Sequence, residues 1–533
     1  MFFKFFKQNK RDEQKKGEIS SISELTNPKQ EQEYKKTVEE YKSTIKNNNL
    51  YANYKLPSIT LLSKPINKHT KEQEEEIRTN IEILQDALKD FEVYAKVVEV
   101  HVGPFFTQYE LIIKEGTRMN KITSIHKEIA VALGVKDVKI EAPIPGKSTV
   151  GIEVPNKTNI PIALREVMTS LPKEKTNNKL TIALGKDIMG MPRFVELDKL
   201  SSLLIGGTTG SGKSIFINTI ISSILMRTRP DEVKLILIDP RKIELGIYNG
   251  IPHLITPVVT DPKKASITLQ MVVREMERRY DLFSDSKTKD LETYNDYIKE
   301  KNKALADEEK LPMLPYWVVV IDELSDLMLA FPNEIEDSIM RLSQMSRPAG
   351  ICLVVSTQRP STNIITGIIK ANMPNRISFV LPSTTDSRVV LDMAGAEKLF
   401  GKGDMLFLPR GERFPERIQG AYVSEEDISK LVDFCASQQK AVYDEQFTSE
   451  YNNITTDGFT HDKDDNEYDD PIYNEALEFI LSTGKASASI LQRKFILGYN
   501  RAARLIDLFE ERGIIGPQRG SEPREVLYKV EEK

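Results

Sequence analysis

The stretch Leu203–Ser214, LLIGGTTGSGKS, decides how the rest of the chain is read. A short aliphatic run ends in Gly206, then Gly207 opens a G-x-x-x-x-G-K-S spacing that closes on Gly212, Lys213 and Ser214 and leads into IFINTIISSIL. Strand, glycine-rich turn and helix in that order form a phosphate cradle. Glycines let backbone N–H groups close around an anion, the helix N-terminus adds its dipole, the lysine reaches the outer phosphates and the serine ligates Mg2+. Gly207, Thr208, Thr209, Gly210, Ser211, Gly212, Lys213, Ser214 and Ile215 are therefore assigned to ATP, and Ser214 also to the metal.

A hydrolytic site needs a carboxylate delivered from a second strand. YWVVVIDEL supplies it: Asp322 suits the Mg2+ contact and Glu323 the orientation and activation of the attacking water. Two further strand ends carry polar residues, Gln358 in VVSTQRP and Asp239 in LILIDPRK, and such positions line the ligand crevice of open α/β sheets. Gln358 suits the outer phosphate or its water. Asp239 reads equally as a turn cap.

Working outward, residues 179–440 alternate helices with strongly aliphatic strands, the pattern of a parallel sheet covered on both faces. Residues 76–178 read as a small α+β domain with Ile77, Ile81, Leu84, Leu88 and Phe91 on one helix face, and nothing in them suggests an acid/base or metal cluster. Residues 1–75 are a polar tail, disordered or helical, and 441–468 an acidic flexible linker, both too poor in aliphatics to order themselves. Residues 469–533 outline a winged helix: three short helices and a terminal strand.

The formal net charge of -5 excludes a uniformly basic nucleic-acid binder, yet Ala486–Ile506 carries Arg493, Lys494, Arg501 and Arg504 and no acid. Two distant cysteines, Cys352 and Cys435, give neither a disulfide framework nor metal spacing and fit a reducing cytoplasm. No apolar run is long enough to span a bilayer. The opening MFFKFF reads either as a shallow interfacial anchor or as a frayed terminus.

Seven segments in order resemble the FtsK/SpoIIIE family of double-stranded DNA translocases: the 203–214 loop, LIDPRKIELGIYNGIPHL (237–254), MERRYDLF (276–283), VVVIDELSDLM (318–328), STQRPSTNIITGIIKANMPNRISF (356–379), DSRVVLDMAGAEKLFGKGDML (386–406) and the terminal GYNRAAR with REVLYKV. The resemblance implies a RecA-like P-loop NTPase motor between an α+β (FtsK alpha-like) domain and a C-terminal winged-helix (FtsK gamma-like) domain. It implies a homo-hexameric ring around double-stranded DNA, driven by ATP and Mg2+, acting in chromosome segregation and dimer resolution around cell division. A site-specific recombinase or a division protein is the further partner it suggests.

By the same resemblance Arg347 matches the arginine that acts in trans on a neighbour's nucleotide, and Arg359 and Lys370 match a channel loop touching the DNA backbone. Asn500, Arg501 and Arg504 match the helix that reads oriented sequences, and Arg and Asn suit guanine and adenine edges. The likeness departs at Thr384 and Thr385, where some members carry a basic residue, and at the start, where many carry membrane spans. The expectation is a cytoplasmic form, recruited to the septum or membrane by a partner if at all. The alternative is a related ring ATPase for conjugative DNA transfer or protein secretion, and a non-motor DNA-binding protein is opposed by the complete Lys213, Ser214, Asp322 and Glu323 set.

Overall fold

The computed structural model describes residues 51–451, apart from 52, 66–70, 104–105, 115, 145, 158–160, 306–309 and 448, and parts of 472–527. These fall into two compact units divided between Ile454 and Thr455.

The first unit is centred on a ten-stranded mixed sheet. Its parallel part is built from β8 (Ser202–Gly206), β9 (Val233–Ile238), β10 (Tyr316–Ile321), β11 (Ile351–Thr357) and β12 (Arg376–Phe379) in the spatial order β12-β8-β11-β10-β9. An antiparallel extension adds β13 (Asp404–Leu408), β14 (Glu416–Tyr422), β6 (Thr181–Asp187) and β7 (Pro192–Glu196), with the short β5 (Ile162–Ala163) beside β14. The aliphatic runs split by parity, as a sheet with two buried faces requires. Val318 and Val320 join one core with Leu203, Ile205, Leu235 and Val354, whereas Val319 and Ile321 join the other with Leu204, Ile236 and Leu353.

The first face is covered by α4 (Lys213–Leu225) and α11 (Glu425–Gln438). The second is covered by α5 (Pro262–Ser286), α7 (Leu324–Ala330), α8 (Pro332–Met345), α9 (Gly367–Asn372) and α10 (Thr384–Leu391). Helix α6 (Leu291–Asn302) packs with the end of α5 around Phe283, Leu291, Tyr294 and Ile298.

A four-stranded antiparallel sheet, β1 (Ala95–Val102), β2 (Phe106–Ile113), β3 (Lys139–Glu141) and β4 (Val150–Pro155), forms the smaller domain of this unit. It packs against α1 (Lys71–Asp90), α2 (Met119–Ser124) and α3 (His126–Leu133). Leu84 and Leu88 are buried as their spacing predicts, but the helix stops before Phe91, which is exposed. Pairing of β1 with β2 brings Glu99, His101 and Glu110 together, a cluster that the separate positions concealed. Lys147 lies 2.6 Å from Glu110, and the Thr149 hydroxyl donates to the same carboxylate at 2.6 Å. These contacts hold the Glu110 carboxyl down at about 2.

This domain is docked on the motor sheet through Arg417 of β14, which pairs with Glu153 of β4 and donates to both Asp404 oxygens at 2.9 and 2.7 Å. Phe106 and Phe400 flank its guanidinium at 4.3 and 5.3 Å. Burial alone would lower the Arg417 pKa, yet Asp404 and Glu153 hold it well above the ordinary value.

Described residues at the edges of two segments, the tail expected to be disordered or helical and the linker expected to be flexible, are anchored. Within the predicted tail, Leu62 is buried in the motor core, Lys234 donates to the Tyr51 hydroxyl at 3.2 Å and lies over its ring, and Ser63 bonds Asp427. At the start of the predicted linker, Phe447 is buried against Trp317 and Tyr451 bonds Thr268 at 2.6 Å. A few large side chains suffice where a neighbouring core has a place for them, which composition over a long window averages away. No helix among the described residues is long and apolar enough to cross a membrane.

The second unit contains α12 (Tyr473–Thr483), α13 (Ala488–Phe495) and an antiparallel pair, β15 (Lys485–Ala486) with β16 (Arg524–Glu525). Ala476, Ile480, Leu491, Ala502, Leu505, Ile506 and Phe509 close its core. The spacing of 502, 505, 506 and 509 is one helical face.

Candidate active site

The glycine-rich loop adopts the backbone it was expected to need. Gly210 and Gly212 have φ of +77° and +109°, a region that L side chains avoid. A Cβ on Gly207 would come within 2.8 Å of Phe379 and Ser211, and one on Gly212 within 2.4 Å of the Gly403 nitrogen. Gly403 in turn donates to the Ser211 carbonyl at 2.8 Å, so the 400–403 loop backs the cradle. Ser214 stands in the first turn of α4, with Ile215 exposed beside it.

Lys213 is almost fully buried. Its ammonium donates to the Asp322 carbonyl (2.7 Å), Asp322 Oδ1 (3.1 Å) and Ser356 Oγ (3.0 Å). Asp322 Oδ2 is buried with no protein partner. Burial pushes the Asp322 carboxyl above the usual carboxylate range, with Lys213 pulling the other way. An orphaned oxygen on a carboxylate whose other oxygen meets Lys213, the neighbour in sequence of the helix-terminal Ser214, fits a hard cation with oxygen ligands and a triphosphate beside it.

Because β11 lies between β8 and β10, its C-terminal end sits between the cradle and the two acids. Glu323 Oε1 accepts from Ser325 Oγ (2.8 Å) and Thr357 Oγ1 (2.7 Å), and Oε2 from the Gln358 N–H (2.9 Å). The Gln358 side-chain oxygen accepts from Thr209 Oγ1 at 2.8 Å, which ties the strand end to the cradle. Asp239 proves to be a turn cap: its carboxylate accepts N–H bonds from Arg241, Lys242, Ile243, Glu244 and Leu245 at 2.9–3.1 Å.

The structure thus brings together Lys213, Ser214, Asp322, Glu323 and Gln358, with Gly207–Ile215 around them. Sequence reasoning missed Ser325, Ser356 and Thr357, whose hydroxyls hold the acids and the lysine; small polar residues at strand ends were the available signal. It also missed Arg241, whose guanidinium lies 3.7 Å from Glu323 Oε2.

Arg347 is not at this site. It is exposed on the turn that enters β11 at the opposite end, roughly 20 Å along a seven-residue strand. The turn is pinned: Arg279 donates to the Ala349 carbonyl (2.7 Å), Tyr280 to Met345 (2.8 Å) and the Leu291 N–H to Pro348 (2.9 Å). Arg359 is exposed just beyond Gln358. Lys370 pairs with Asp392 at 2.5 Å, so it is less available than its sequence context suggested. Thr384 and Thr385 open α10. Asn500, Arg501 and Arg504 lie outside the described residues.

Residues 163–362 match the model of the FtsK/SpoIIIE family, 56–156 that of the FtsK alpha domain and 467–529 that of the FtsK gamma domain. The chain is 52% identical over 474 residues to DNA translocase FtsK of Oceanobacillus iheyensis, covering 89% of this chain and 59% of the relative. It is 52% identical over 480 residues to DNA translocase SpoIIIE of Bacillus subtilis, covering 90% and 59%. DNA translocase FtsK of Listeria monocytogenes is 50% identical over 477 residues, with 90% and 62% covered. The chain therefore spans about three-fifths of the length of these relatives. With the family's domains matched in order along it and about half of the aligned residues identical to proteins bearing its name, the chain belongs to the FtsK/SpoIIIE family.

Proposed function

We propose that the chain is an ATP-driven double-stranded DNA translocase that works as a hexameric ring in chromosome segregation and dimer resolution around cell division. One observation carries the reading: a nucleotide cradle completed by two acids and Gln358 occurs in a chain that also carries the gamma domain of relatives named DNA translocases.

In the reaction, Ser214 and Asp322 hold Mg2+, which neutralises phosphate charge when bound. Lys213 exchanges Asp322 for the outer phosphates. Glu323, held by Ser325 and Thr357, accepts the proton of the attacking water as its oxygen bonds to the γ-phosphorus and the bond to the β–γ bridging oxygen breaks, releasing ADP. Gln358 aligns water and phosphate. Arg347, remote from its own cradle on a pinned turn, serves the cradle of a neighbouring copy.

Arg359 grips the DNA backbone and Lys370 joins it by exchanging Asp392 for phosphate, a sequence-independent contact suited to movement. Asn500, Arg501 and Arg504 read base edges and set direction.

The test is ATP hydrolysis by the purified chain with and without linear duplex DNA, no other protein present. Stimulation by duplex supports the translocase. Hydrolysis indifferent to duplex and dependent on a membrane assembly favours the conjugation or secretion class.

A further inference from the structure

The loop after β9 carries a cation that the site as described does not use. Five successive N–H groups, from Arg241 to Leu245, close on the buried Asp239 carboxylate, a nest that fixes the backbone of the loop. From this fixed base the Arg241 side chain, only 29% exposed, reaches within 3.7 Å of Glu323 Oε2. That separation is longer than the 2.7–2.9 Å or so of a charge-assisted hydrogen bond.

Glu323 does not depend on the contact, because Ser325, Thr357 and the Gln358 N–H already occupy its oxygens. No hydrogen bond from the guanidinium is found among the described residues, although a guanidinium offers five donors in a planar fork. Among the described residues, Lys213 and Arg241 are the two cations paired with acids of this site, and Lys213 is fully occupied by Asp322 and Ser356. A half-buried, pre-positioned cation with its donors unused, beside the acid that orients water, is built for anionic oxygens arriving at that acid.

We infer that Arg241 is a cis-acting ligand of the nucleotide's outer phosphate, which it takes up on leaving Glu323. The inference rests on the reading of this site as an ATP site. It assigns to Arg241 discrimination between nucleoside triphosphate and diphosphate, a role separate from that of Arg347 on a neighbouring copy.

The experiment uses the full chain and measures equilibrium binding of Mg2+-ATPγS and Mg2+-ADP to wild type, Arg241→Gln, Arg241→Lys and Lys213→Ala. Arg241→Gln should weaken ATPγS about tenfold or more, the loss expected for a hydrogen bond between charged groups, and leave ADP within about twofold. Arg241→Lys should fall between, keeping the charge and losing the fork. Equal weakening of both nucleotides, or of neither, would overturn the inference, because a merely structural arginine cannot distinguish them. Wild type that binds neither nucleotide would overturn the ATP reading along with it. Binding lost in Lys213→Ala but indifferent to Arg241 sinks the Arg241 assignment alone.

Discussion

At the scale of single residues the site is a set of acids and cations held by hydroxyls. Glu323→Gln should keep nucleotide affinity while hydrolysis falls by about 10²–10⁴-fold, because the amide preserves the shape and most bonds of the side chain but cannot take the proton. Binding titration beside a phosphate-release assay checks the split, and hydrolysis at the wild-type rate would remove Glu323 from its role. How much of this was legible follows from the kind of constraint. Gly207, Gly210 and Gly212 were legible because the backbone conformation itself selects glycine. Asp322 and Glu323 were legible because a strand of buried aliphatics ending in two acids has few other uses. The role of Asp239 could not be told from its neighbours, since nucleotide contact and turn capping demand the same residue type. Arg241, Ser356 and Thr357 depend on which strands become neighbours, and a one-dimensional pattern of aliphatic runs does not state the order β8-β11-β10-β9.

At the scale of elements, the junction of β4, β13 and β14 makes the clearest prediction. Arg417→Met leaves the buried Asp404 without a counter-charge and the buried Glu153 with only Lys139 at 3.6 Å, and should destabilise the first unit by about 3–5 kcal/mol in urea unfolding. Adding Glu153→Gln should cost less than the two changes do separately, because they share one interaction. Within the smaller domain, Glu110 is held down at about 2 from the ordinary 4.5 by Lys147 and Thr149. A depressed carboxyl stabilises the folded state above its unfolded pKa, and that contribution disappears as pH falls from about 4.5 toward 2. Acid unfolding of the isolated substitution Glu110→Gln should therefore be flatter across this window than that of the wild type. Neither junction nor cluster was visible beforehand. The junction joins residues far apart in the chain and the cluster depends on the register of β1 against β2, whereas the periodicity of α1 is local and was legible. The anchoring of Tyr51, Leu62 and Phe447 was hidden for the same reason: a lone apolar residue in a polar stretch matters only once its receiving surface exists.

At the scale of the whole molecule, the separation of Arg347 from Lys213 along β11 makes the proposed site incomplete within one copy. Mixing Arg347→Ala with Lys213→Ala chains should restore part of the turnover that neither has alone, because mixed assemblies contain interfaces with an intact cradle facing an intact arginine. Mixed assemblies that form and stay inactive would count against action in trans. Movement along duplex DNA powered by the cradle is measured by displacement of a third strand from a triplex placed on linear duplex. Displacement should require ATP, survive a random duplex sequence, fall when Arg359 and Lys370 are both changed to alanine, and vanish in Lys213→Ala. Hydrolysis of ATP on the same DNA with no strand displaced, or displacement unchanged in Lys213→Ala, would contradict movement powered by the cradle.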